Sequence, residues 1–119
     1  MPLRRLVIYA KDVEQTIRFY ETHFGFRAVR LPGDRIVELV SPDSGANLLI
    51  HPAAKSQRMG QSTVKLVFDI EDVEAFCESS RVNGLLFGAV HDADGYWFAN
   101  ARDPCQNPIQ VSSRAFRKL

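Results

Sequence analysis

Leu3–Arg27, LRRLVIYAKDVEQTIRFYETHFGFR, is the stretch that decides the reading of this chain. It opens as a strand, with Leu6, Ile8 and Ala10 on one face and Arg5, Val7 and Tyr9 on the other. Asp12 is a helix N-cap, and Gln15, three residues on, completes a capping-box pattern. Val13, Ile17, Tyr20 and Phe24 then follow at spacings of four, three and four, which is one face of a helix. Gly25 is its C-terminal stop. The unit returns about sixty residues later as Val64–Gly84, VKLVFDIEDVEAFCESSRVNG. Asp12-Val13-Glu14 reappears as Asp72-Val73-Glu74, and Leu6-Val7-Ile8 as Leu66-Val67-Phe68. A period of this length points to a duplicated supersecondary unit.

Working outward, the first half continues with a strand over Phe26–Leu31, a turn at Pro32-Gly33-Asp34 and a return strand over Arg35–Val40. A second turn, Ser41–Gly45 (SPDSG), leads to a strand over Ala46–Ile50 that ends at His51-Pro52. Residues 53–62, AAKSQRMGQS, are polar and aperiodic and read as a linker. In the second half Asp72 caps a helix whose inner face is Val73, Phe76, Cys77 and Ser80, and Gly84 stops it. A strand over Leu85–Val90, a turn over His91–Gly95, a strand over Tyr96–Ala101, a turn over Arg102–Asn107 and a strand over Pro108–Ser112 follow. Ser113–Leu119 is a basic tail. Each half is therefore β-α-β-β-β, and the expected fold is α+β: two such modules, about residues 1–52 and 63–119, in one domain spanning 1–119. A curved sheet that buries one face against a helix leaves the other free, and two of them side by side enclose a cleft.

The bulk properties exclude several classes. The chain has 119 residues with a net charge of +1, which gives no electrostatic case for nucleic acid or an anionic membrane. No apolar run approaches the roughly 20 residues of a spanning helix. The start passes directly into a strand and a charged helix rather than a signal peptide's apolar region, so a cytoplasmic location is the expectation. Two cysteines, Cys77 in a helix and Cys105 in a polar loop, form no disulfide framework and suit a reducing compartment.

Two segments carry a resemblance. Lys11–Phe26, with Asp12, Phe19-Tyr20 and Phe24-Gly25-Phe26, resembles the opening of the vicinal oxygen chelate superfamily, which comprises glyoxalases, bleomycin-resistance proteins and extradiol dioxygenases. The end, Tyr96–Asn100 running into Asp103-Pro104 and Asn107-Pro108-Ile109, is similar as well. Here Gln106 stands where the family's Asp-Pro-x-Gly-Asn turn has glycine. The resemblance implies two βαβββ modules around a cleft, usually in a homodimer, and chemistry that ranges from isomerisation and dioxygenation to drug binding without catalysis.

The resemblance also implies a metal site in catalytic members, built from His, Glu or Gln on the first and last strand of each half. The corresponding positions here are Arg5, Leu49, Lys65 and Gln110. Only Gln110 has a lone pair to offer, and two cations would repel the ion. The expectation is no metal and no other cofactor, with a divalent ion as the alternative. The cleft faces would present Arg5, Val7, Tyr9, Glu38, Leu49 and His51 from the first half, and Lys65, Val67, Asp69, Trp97 and Gln110 from the second. Arg5 and Lys65 suggest an anionic group on the ligand, the alternative being internal ion pairs with Glu38 or Asp69, and Trp97 suggests a planar group to stack on, the alternative being a core or dimer-interface role. His23 and His91 read as surface residues. The leading expectation is a metal-free protein that binds a small molecule. The alternatives are a lyase, isomerase or dioxygenase, either metal-dependent or using His51 or Glu38 as acid–base, and a fold retained only for assembly with a partner.

Overall fold

A computed structural model describes residues 1–118; Leu119, the last residue of the expected tail, lies outside the described residues. The chain divides into two compact units, Met1–Arg58 and Met59 onward. In the first, Arg5–Ala10 is β1, Val13–Phe24 is α1, Arg27–Val29 is β2, Val37–Val40 is β3 and Asn47–Pro52 is β4. In the second, Leu66–Asp69 is β5, Val73–Val82 is α2, His91–Asp92 is β6, Trp97–Arg102 is β7 and Pro108–Ser112 is β8. A single 3-10 turn, Arg114–Phe116, follows. The fold is α+β, and each unit is one βαβββ module.

The two sheets have the same topology, β1-β4-β3-β2 and β5-β8-β7-β6. In each, the first strand runs parallel to the last and the remaining pairs are antiparallel. The helices begin where the caps were expected. Asp12 Oδ1 accepts from Gln15 N and Asp72 Oδ1 from Ala75 N, both at 3.0 Å. Gly25 ends α1 with φ at +72°, and its N–H bonds Glu21 O. An added Cβ there would meet Pro42 at an ordinary 3.6 Å, so glycine is needed for the backbone angle rather than for space.

Each helix covers one face of its own sheet. Ile17 and Tyr20 are buried with Ile8, Ala10, Leu39, Leu48 and Ile50. In the second unit Val73 and Ser80 are buried with Leu85, Ala99, Ile109 and Val111.

Two expectations for the second unit change. Leu85–Val90 is not a strand: its ladder is reduced to Gly88 N donating to Asn100 O at 2.8 Å. The segment is a continuous apolar run interrupted by glycine. Leu85 folds back to close the helix through its N–H to Ser80 O (2.9 Å), and Phe87 packs 6.1 Å from Phe76. The sixth strand falls instead on His91–Asp92, the first two residues of the expected turn, and the reversal is confined to Ala93–Tyr96.

Candidate functional site

The sheet faces opposite the helices are open, and they are where polar and aromatic side chains gather. In the first unit β1 presents Arg5, Val7 and Tyr9, while β4 presents Leu49 and His51 opposite Val7 and Tyr9. Glu38 of β3 lies opposite Leu49. Val7 and Tyr9 are 48% and 45% exposed, so this row is apolar surface left facing solvent within its unit. Tyr9 and His51 touch, with ring centroids 5.1 Å apart, and His51 Nδ1 lies 2.7 Å from Pro52 O.

Arg5 and Glu38 form an ion pair, Nε to Oε2 at 3.1 Å. Asn47, which β4 places beside Arg5, donates from Nδ2 to the same oxygen at 2.9 Å. Asn47 Oδ1 in turn accepts from Ser41 N, fixing the end of the β3–β4 loop.

In the second unit the open row of β5 is Lys65, just ahead of the strand, with Val67 and Asp69. Gln110 of β8 lies opposite Val67, and Asn100 of β7 opposite Gln110. Asn100 Oδ1 accepts from both Lys65 Nζ and Gln110 Nε2, each at 2.9 Å. Phe98, two residues before Asn100 on the same face, stacks on His91 of β6 at 5.1 Å.

Trp97 is placed differently from the sequence reading. Strand alternation puts it in the row of Ala99, the face that packs on α2, and not in the row of Asn100 and Gln110. It sits at the start of β7, half exposed, with its backbone N–H donating to Ser113 Oγ. The row that Trp97 joins is set by the register of β7 against β8, which local spacing does not show. Asn100, Asn47 and Phe98 are not among the expected cleft residues, and His91, exposed as expected, lies on β6 rather than in a turn. Asn100 was recoverable, since it stands in the second unit where Glu38 stands in the first.

Two other features lie away from these faces. The β7–β8 turn is built on buried Asp103, whose Oδ1 accepts from Cys105 N and Asn107 N at 2.9 Å each and whose Oδ2 accepts from Asn107 Nδ2 at 3.1 Å. Gln106, in the family's glycine place, takes the left-handed angle the turn requires, φ +66°. A hollow of about 560 Å³ runs beside α2, bounded by Cys77, Leu86, Phe87 and Val90 and rimmed by charged side chains. It lies on the flank of α2, between Glu74, Cys77, Glu78 and Arg81 of the helix and the Leu86–Val90 segment. Burial raises the Cys77 thiol pKa above its ordinary value, which disfavours the reactive thiolate.

At the four positions where catalytic relatives would hold a metal, Arg5, Leu49 and Lys65 offer no lone pair, which leaves the side-chain oxygen of Gln110 as the one donor of the four. A divalent ion does not fit that donor set. Among the described residues no three His, Cys, Asp or Glu side chains gather as a metal group. No helix among them is long and apolar enough to cross a membrane.

Comparison with known proteins agrees with this architecture. The family profile described as Glyoxalase/Bleomycin resistance protein/Dioxygenase superfamily matches residues 3–111, and the chain belongs to that superfamily. No curated protein matches. Among solved structures, TnmS3, an antibiotic binding protein from Streptomyces sp. CB03234, is 18% identical with a TM-score of 0.77 over 93% of each chain. Lactoylglutathione lyase from Agrobacterium tumefaciens is 19% identical, with a TM-score of 0.73 over 97% of this chain and 95% of that one. A protein from the mobile metagenome of V. Pseudocholerae is 25% identical, with a TM-score of 0.69 over 94% and 93%.

Proposed function

We propose that this chain is a small-molecule-binding protein that works without a metal and takes its ligand on the open sheet faces. The observation that carries the reading is the makeup of those faces: exposed Val7, Tyr9 and Val67 beside a few hydrogen-bonded polar groups, with side chains unsuited to a cation at the metal positions. Apolar surface with a small number of fixed polar groups is the usual composition of a ligand site. TnmS3, a relative in fold, is an antibiotic binding protein, which supports reading the open faces as a ligand site. Arg5, Val7, Tyr9, Glu38, Leu49 and His51 would contact ligand on the first face, and Lys65, Val67 and Gln110 on the second. A homodimer is the proposed working form, since each sheet leaves both edge strands available for pairing.

The test is thermal unfolding of metal-stripped protein against uncharged planar compounds, aromatic carboxylates and phosphates, and nickel, zinc, manganese and iron(II). A ligand at about a hundred times its Kd adds about 2.7 kcal/mol to the folded state and raises the midpoint by several degrees. The expected result is a shift with organic ligands and none with metals. A clear shift with one ion would overturn the metal-free reading and favour a lyase or dioxygenase. Light scattering checks the dimer.

A further inference from the structure

The two open faces neutralise their cations differently. Glu38 and Asn100 hold equivalent places: each lies opposite the last-strand residue, Leu49 or Gln110, that itself lies opposite Val7 or Val67. Arg5 and Lys65 are likewise sixty residues apart. Glu38 meets Arg5 with a carboxylate, so that pair is neutral. Asn100 meets Lys65 with an amide oxygen only, so the ammonium charge stays uncompensated.

The ion pairs among the described residues join Arg5 to Glu38, Arg30 to Glu14 and Arg81 to Glu78, and Lys65 takes part in none of them. Asp69, the acid on the same row, is four residues further along. At about 3.3 Å per residue it lies roughly 13 Å away, beyond a screening length of about 8 Å. Arg102 adds a second cation at the Lys65 end: it pairs with Pro108, next to the Leu66–Ile109 pair, and its Nη1 bonds Gln106 O. With its Oδ1 accepting from Lys65 and Gln110, Asn100 presents Nδ2 as a donor, and the lysine has further protons to give.

We propose that Lys65, Asn100 and Gln110 form an oxyanion subsite. It takes the carboxylate or phosphate of an amphipathic ligand whose apolar body lies along Val67 toward the Phe98–His91 stack. Arg5, already neutralised by Glu38, does not share this role. The inference rests on the small-molecule reading above and specifies which ligand class that reading admits.

Three probes of similar size separate the outcomes: benzoate, phenyl phosphate and uncharged benzamide, titrated while the side-chain amide signals of Asn100 and Gln110 are followed by NMR. The anions are expected to shift these signals saturably, and benzamide to need at least about tenfold higher concentration. Whichever anion binds tighter identifies the group. Lys65→Met should weaken anion binding about tenfold, Lys65→Arg should restore most of it, and Asn100→Asp should abolish it by giving Lys65 a carboxylate of its own. These side chains lie on the open face, and circular dichroism checks that each variant folds. Equal binding of benzamide and benzoate, indifferent to Lys65→Met, would overturn the subsite and leave the small-molecule reading standing. Silence of the amide signals with all three probes would overturn the subsite too. The broader reading is judged separately, by the uncharged planar compounds in the thermal assay.

Discussion

The two units share one topology and one capping scheme, yet they are filled differently. At an offset of sixty residues Ile17 becomes Cys77, Tyr20 becomes Ser80 and Phe24 becomes Gly84. The first helix packs large side chains into its sheet, while the second leaves a hollow beside it. In the β3–β4 and β7–β8 loops the contrast runs the other way. The first is tied by Ser41 Oγ and Asn47, the second by a buried carboxylate that accepts three hydrogen bonds. A repeated plan therefore specifies where elements go, and the stabilising interactions are free to settle in different parts of each copy.

The largest expected effect tests the helix contrast. Ile17→Ala should destabilise the protein by about 3 kcal/mol, as truncation of a fully buried isoleucine does, while Cys77→Ala should cost less than about 1. Chemical denaturation measures both, and equal losses would show that the second unit is as tightly filled as the first. The loop contrast comes next. Asp103→Ala leaves three donors of the turn without their acceptor and should cost about 2–3 kcal/mol, whereas Ser41→Ala should cost about 0.5. A large loss at Ser41 would erase the distinction.

Gln106→Gly sharpens it further. A side chain at φ +66° is strained, so glycine should stabilise by about 0.5–1 kcal/mol, whereas Gly25→Ala in α1 should destabilise by about 1. The smallest effect concerns charge. Arg30 reaches back from beyond β2 to Glu14 of α1 with bonds of 2.8 and 2.9 Å, while Arg81 pairs with Glu78 within α2. Hydrogen bonding to Arg30 holds the Glu14 carboxyl below its ordinary pKa. Its contribution is therefore present above the ordinary glutamate range and is lost as pH falls through the depressed value. Glu14→Gln should lower the midpoint by about a degree at pH 7, as for an exposed pair, with the gap closing toward pH 3. Glu78→Gln should do less, because its pair joins no separate elements.

Much of the fold was legible before any coordinates. Strand alternation set which residues of β1 and β5 share an open face, and the Asp caps and Gly25 set the limits of α1. The failures were local and share a cause. Leu85–Val90 has strand-like composition, but strand formation depends on a hydrogen-bonding partner, and β7 gives its edge residues to His91–Asp92. Trp97 is expected on the open row, whereas the register of β7 against β8 places it with Ala99.

By itself the sequence determined the repeat, the order of elements, the helix caps and the side chains available on each sheet, because these follow from spacing and backbone preference along a single strand or turn. Only the tertiary structure decided which groups meet. Glu38 could be read as a partner for Arg5 only as one of two alternatives, and nothing in the sequence ties Asn100 to Lys65, thirty-five positions away. The register of three strands brings them into contact, and it leaves Arg5 neutral and Lys65 charged.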